Sequence, residues 1–142
     1  MVELTLEQAQ LLRVLHALFG RDRIVCKVSV NLVCDGALPA EFLGNGEALQ
    51  SWAKHYKCLF TVLNEAGSPK LVVEFNHEFE EALDVQNFEF KPLLEPILKA
   101  KQVHYVSISR KEFDALLQGA DTLEFVRLLG TKITFDDPQL SF

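Results

Sequence analysis

The sequence predicts a mixed α/β domain, with a central sheet that contains an antiparallel hairpin and is flanked by helices. Three observations predict it. Apolar residues recur with helical spacing in the first 19 positions, two apolar runs are separated by a turn-forming heptapeptide, and helix and strand patterns then alternate.

Taken in order, Thr5 to Phe19 reads as the first helix. Thr5 and Gln8 have capping-box spacing, and Leu11, Val14, Leu15 and Leu18 share one face. Gly20 sits where a helix-ending glycine belongs. Arg23 to Val33 alternates and is rich in β-branched residues, so it is expected to be one strand ending at Asp35-Gly36. A loop through Pro39, Gly44 and Gly46 precedes a short helix, Glu47 to His55. Cys58 to Leu63 and Leu71 to Phe75 form the predicted hairpin around Asn64-Glu65-Ala66-Gly67-Ser68-Pro69-Lys70. Both strands are almost continuously apolar, which places them centrally with both faces covered. Phe88 to Ala100 reads as a helix that Pro96 is expected to kink. A strand over Val103 to Ser109 and a helix over Lys111 to Gln118 follow. A further helix over Asp121 to Leu129 opens on Asp121, and Thr131 to Phe142 is a candidate edge strand.

The chain has 142 residues, the size of one domain, read as a core over 4–113 with a C-terminal helix and tail over 119–142. Its composition is 49% hydrophobic and 24% charged, with a net charge of -6, which excludes a disordered tail and a basic nucleic-acid arm. No apolar run approaches the roughly 18 residues of a membrane span, and Met1 to Gln8 lacks the positive region of a secretory signal. Cys26, Cys34 and Cys58 are odd in number and have no CxxC spacing, so free thiols in a reducing, cytoplasmic setting are expected. His55 and Cys58 alone do not make a zinc site.

The charge is unevenly placed. Glu74, Glu78, Glu80, Glu81, Asp84 and Glu89 fall within the 16 residues 74–89, which contain no Lys or Arg. The rest of the chain balances, fourteen acids against fourteen bases. Phe75, Phe79, Phe88 and Phe90 interleave with these acids, a pattern suited to a solvated loop or to anchoring a protein partner. Such acidity repels phosphates unless metal ions neutralise it.

The segment Lys54-His55-Tyr56-Lys57-Cys58-Leu59-Phe60, the Gly-Ser-Pro-Lys turn and Leu71-Val72-Val73-Glu74-Phe75-Asn76 resemble an uncharacterised bacterial domain family of the restriction-endonuclease-like, PD-(D/E)xK superfamily. The resemblance covers about residues 4–113, with Leu6 to Phe19 as the leading helix and Leu93 to Ile108 as the later helix-strand pair. It implies a restriction-endonuclease-like core. In such nucleases, carboxylates from the two hairpin strands hold Mg²⁺ at the scissile phosphate, and a lysine orients the attacking water. Glu74 matches the second carboxylate, but Cys58 stands at the first acidic position and Asn76 at the lysine position. A thiol is a poor Mg²⁺ ligand, and Asn76 carries no charge. Cys58, Glu74, Asn76 and Lys57 therefore define a relic site. The alternative is a divergent Mg²⁺-dependent nuclease acting on DNA or RNA, with Glu74 joined by Glu78 or Asp84 as metal ligands and Lys57 or Lys54 recruited nearby.

The expected function is a non-catalytic interaction or accessory module that contacts a protein partner through Glu78, Phe79, Glu80, Glu81, Asp84 and Glu89, with no cofactor. A third reading is a non-cleaving nucleic-acid binder using Lys54, His55, Lys57 and Lys70. Glu74 is either a strand-end carboxylate facing water or a metal ligand, and burial would favour the second. Cys58 is expected to be a small buried apolar residue rather than a nucleophile paired with His55. Trp52 is expected at the core edge and His104 on a strand face. Cys58 and Glu74 should lie on neighbouring antiparallel strands near one end of the sheet.

Overall fold

A computed structural model describes residues 4–75, 90–119 and 127. Helix α1 (Leu6–Phe19) begins at the expected capping box: the Gln8 amide donates to Thr5 Oγ1 at 3.1 Å, and the Thr5 amide to Gln8 Oε1 at 2.9 Å. It ends at Gly20, whose positive φ of 93° favours a residue without a Cβ. A 3₁₀ turn, Arg21–Arg23, leads into β1 (Ile24–Ser29).

The strand expected to reach Val33 stops at Ser29. Ser29 Oγ accepts from the Leu32 amide at 3.3 Å, capping a single-turn helix α2 (Val30–Val33) that buries Val30 and Val33. Burial of that pair, together with the cap, overrides the β-propensity of the segment. A 3₁₀ turn at Ala40–Asn45 precedes α3 (Glu47–His55), whose bounds match the expectation.

Strands β2 (Lys57–Leu63) and β3 (Pro69–Phe75) form the predicted hairpin. Asn64 organises its turn: Asn64 Oδ1 accepts from the Ala66 and Ser68 amides at 2.9 and 3.0 Å, and Gly67 takes a φ of 85°. Arg23 Nε ties the hairpin to the β1 entry by donating to the Leu63 carbonyl at 2.8 Å.

After a 3₁₀ turn at Lys91–Leu93, α4 (Leu94–Ala100) starts later than expected. Pro96 falls in the first helical turn, where its missing N–H costs no intrahelical bond. Strand β4 (His104–Ile108) and helix α5 (Arg110–Gly119) complete the described elements. Helix α5 opens on a second capping box, Ser109 with Glu112, at 2.9 and 3.2 Å. The expected helix over Asp121 to Leu129, apart from residue 127, and the expected edge strand over Thr131 to Phe142 lie outside the described residues.

The sheet order is β1-β2-β3-β4, with antiparallel pairs at β1–β2 and β2–β3 and a parallel pair at β3–β4. The hairpin strands are central, as their apolar sequences predicted. On one face, Leu11, Leu15 and Phe19 of α1 and Phe113 of α5 cover Phe60, Val62, Leu71 and Val73. On the other, α2, α3 and α4 cover Cys58 and Val72 through Val33, Leu49, Trp52, Ile97 and Leu98. The chain is thus an α/β fold with a four-stranded mixed sheet between helical layers. Among the described residues no helix is long and apolar enough to cross a membrane.

One irregularity bears on the site. Lys27, in β1, has a φ of 55°, and the paired residues step from Cys26↔Phe60 to Val28↔Cys58, passing over Lys27 and Leu59. Side chains change face there: Cys26 and Phe60 pack toward α1, whereas Val28 and Cys58 pack toward α3. This turn of the strand pair carries Cys58 to the Glu74 side of the sheet.

Candidate functional site around Glu74

Alternation along β3 sends Leu71, Val73 and Phe75 toward α1, and Val72 and Glu74 toward α3 and α4. Glu74 is only 4% exposed, so the reading of a strand-end carboxylate facing water is corrected. A buried carboxylate is costly without donors, and Tyr105, Tyr56 and the Leu59 amide donate to this one. Tyr105 Oη donates to Oε1 at 2.9 Å. Tyr56 Oη bridges both oxygens at 3.2 and 3.1 Å. The Leu59 amide donates to Oε2 at 3.2 Å.

Each donor has a structural reason. Tyr56 follows α3 directly, and its amide closes the helix onto the Trp52 carbonyl at 2.7 Å. Its ring lies 5.0 Å from that of Trp52. Tyr105 comes from β4, the parallel neighbour, where it pairs with Val72 and so shares the Glu74 face. The Leu59 amide lies at the residue that the ladder passes over opposite Lys27. The carboxylate therefore gives an acceptor to a backbone group at an irregular step of β2.

Cys58 is fully buried on the same side. Burial, the Glu74 charge and then Cys34 push its thiol far above the usual range, which holds it protonated. Cys34 is pushed up to about 11, chiefly by burial. Tyr105 is raised by burial first and by Glu74 second, so its phenol stays a donor. Cys58 and Glu74 thus occupy adjacent antiparallel strands near one end of the sheet, as expected, and Cys58 is a small buried apolar residue.

The other sequence-selected residues do not converge here. Lys57 is exposed at the start of β2, and so is Lys54 in the last turn of α3. His55 is exposed and its Nδ1 donates to the Ser51 carbonyl at 2.8 Å, so it forms no pair with Cys58. Lys70 is the second residue of β3, at the opposite end of the antiparallel hairpin from Lys57. Six strand residues at about 3.3 Å each separate them by roughly 20 Å, so the four basic residues do not form one patch. Trp52 is buried in the core, and His104 is half-buried on β4. Asn76, Glu78, Phe79, Glu80, Glu81, Asp84 and Glu89 lie outside the described residues.

As a donor set for Mg²⁺ the described residues are a poor fit. That ion requires several oxygen ligands in octahedral array. Here one carboxylate is engaged by three hydrogen-bond donors, and its neighbour across the hairpin is a thiol. Among the described residues no three His, Cys, Asp or Glu side chains are grouped to hold a metal. What the arrangement does chemically is join α3, β2, β3 and β4 at a single interior anion.

Tyr56 and Tyr105 were not singled out by the sequence as parts of this site. The signal was indirect: a glutamate in a doubly covered strand requires donors, and only knowledge of strand pairing selects these two phenols. No family model, curated protein or solved structure matches the chain.

Proposed function

We propose that this chain is a restriction-endonuclease-like domain without nuclease chemistry, serving as an interaction or accessory module. The observation that carries this reading is the commitment of Glu74. At the position where the resemblance sets a metal-binding carboxylate, its oxygens accept from Tyr56, Tyr105 and the Leu59 amide. Cys58 beside it is a protonated thiol, and Lys57 is exposed. The order helix, hairpin-forming strands, helix and a parallel fourth strand supports the fold assignment. The contact surface in this proposal is the acidic, Phe-bearing sequence Glu78, Phe79, Glu80, Glu81, Asp84 and Glu89, which suits a protein partner with basic residues around an apolar pocket. Glu74, being interior, does not belong to that surface.

The test has two arms. Incubation with single- and double-stranded DNA and with RNA, in Mg²⁺ and in Mn²⁺, is expected to leave the substrates intact. Affinity capture is expected to retain a partner in a salt-sensitive manner and to lose it with Glu78→Gln, Glu80→Gln, Glu81→Gln and Asp84→Asn combined. Cleavage abolished by Glu74→Gln would establish the divergent nuclease instead. Capture unaffected by the four substitutions would remove the acidic segment from the interface.

A further inference from the structure

The outer side of α1 carries a group of side chains that the core does not use. Leu11, Leu15 and Phe19 are buried against the sheet, whereas Ala9, Arg13 and Ala17, spaced four apart, form an exposed row. Leu12 and His16 flank that row and are half-buried. Gly20 then breaks the helix, donating its amide to the His16 carbonyl at 2.9 Å, and the 3₁₀ turn beginning at Arg21 follows directly. Ala9, Leu12, Arg13, His16, Ala17 and Arg21 together line an open groove of about 420 Å³.

The chemistry of this groove is distinctive in an acidic chain. Two guanidinium groups and an imidazole line one space, and neither the Arg13 nor the Arg21 side chain has an ion pair or a hydrogen bond among the described residues. The alanines leave room between the cations, and Leu12 supplies an apolar wall.

We propose that this groove binds a small phosphomonoester, with Arg13 and Arg21 gripping the phosphoryl oxygens, His16 donating a further hydrogen bond and the organic group lying along Leu12 and the alanines. Two planar guanidinium forks lining one groove suit a tetrahedral dianion, whereas one carboxylate satisfies a single fork. The volume is that of a small-molecule site. A nucleic-acid strand is disfavoured, because a protein that grips one typically neutralises roughly six to ten phosphates, far more than this groove can. Burial first, and Arg21 second, hold His16 below its ordinary value. A bound dianion offsets the second cause and favours the donating form. The proposal is independent of the role assigned to Glu74.

The probe is phenyl phosphate, titrated into the full chain and followed by amide and imidazole NMR shifts, with benzoate at matched ionic strength as the control. The expected result is saturable shifts centred on Arg13, His16 and Arg21, with benzoate binding at least about tenfold more weakly. Arg13→Gln and Arg21→Gln should each weaken phenyl phosphate binding by about tenfold, the loss of one charge-assisted contact. Both residues are exposed, so the variants should keep the parent's far-ultraviolet circular dichroism, and Arg13→Lys offers a charge-conserving comparison. Non-saturating shifts, equal binding of benzoate, or affinity unchanged in both Gln variants would overturn the proposal.

Discussion

At the scale of single residues, Glu74 is the most consequential side chain described. Its carboxylate is 4% exposed and accepts from Tyr56, Tyr105 and Leu59. Removing it leaves two phenols and one amide without that acceptor in the interior, and each orphaned polar group costs about 1–3 kcal/mol. Glu74→Ala should therefore lower unfolding stability by roughly 3–5 kcal/mol in urea titrations. Tyr105→Phe, which removes one donor to a charged acceptor, should cost about 1.5–3 kcal/mol. A Glu74→Ala variant within about 0.5 kcal/mol of the parent would sink the interior-anchor account, since that is the range of ordinary surface substitutions. A contrasting group is Thr61 Oγ1, which is buried in β2 with no hydrogen-bond partner among the described residues. Nothing in the structure explains why a hydroxyl is kept there.

At the scale of elements, the strand irregularity at Lys27 is the feature to probe. A non-glycine residue at a φ of 55° costs roughly 1–2 kcal/mol, and glycine adopts that conformation freely at an entropic cost of roughly 0.5–1 kcal/mol. Lys27→Gly should accordingly raise stability by about 0.5 kcal/mol, and Lys27→Val should lower it, both read from the urea midpoint. Equal destabilisation by both variants would contradict the strain assignment.

The same elements mark what local sequence conveys. The α1 capping box, the Asn64–Gly67 turn and the doubly apolar hairpin were legible because their signals span only a few residues. The end of β1 was not. Val30 and Val33 are strand formers, and the helical turn there depends on which core they fill. The place of Pro96 was not legible for a related reason: its effect depends on where α4 begins, and Leu94, at that start, is buried in the core. The face switch between Phe60 and Cys58 has no local signature either, because it arises from the backbone of the neighbouring strand at Lys27. The candidate site was therefore half legible: Cys58 and Glu74 were placed together, while the phenols that engage Glu74 come from residues 18 and 31 positions away in sequence.

At the scale of the whole molecule, the net charge of -6 divides into unlike parts. One of the six acids in residues 74–89 is interior and serves the fold, leaving five in the sequence proposed to meet a partner. Arg13 and His16 on α1 and Arg21 in the turn that follows it lie far along the chain from that acidic sequence. Global charge thus says little about binding here, and the distribution of charge says more.

The central claim is that Glu74 acts as an interior hydrogen-bond acceptor rather than as a metal ligand, and ligand linkage tests it directly. A metal that binds only the folded chain raises its stability by about 2.7 kcal/mol at a hundred times its dissociation constant. The measurement is the urea midpoint of the parent and of Glu74→Gln, with and without about 10 mM Mg²⁺, roughly a hundredfold excess over a site of 0.1 mM affinity, at constant ionic strength. The account predicts the same midpoint for the parent with and without Mg²⁺, and a lower, equally Mg²⁺-insensitive midpoint for Glu74→Gln. A rise with Mg²⁺ in the parent that disappears in Glu74→Gln would contradict it.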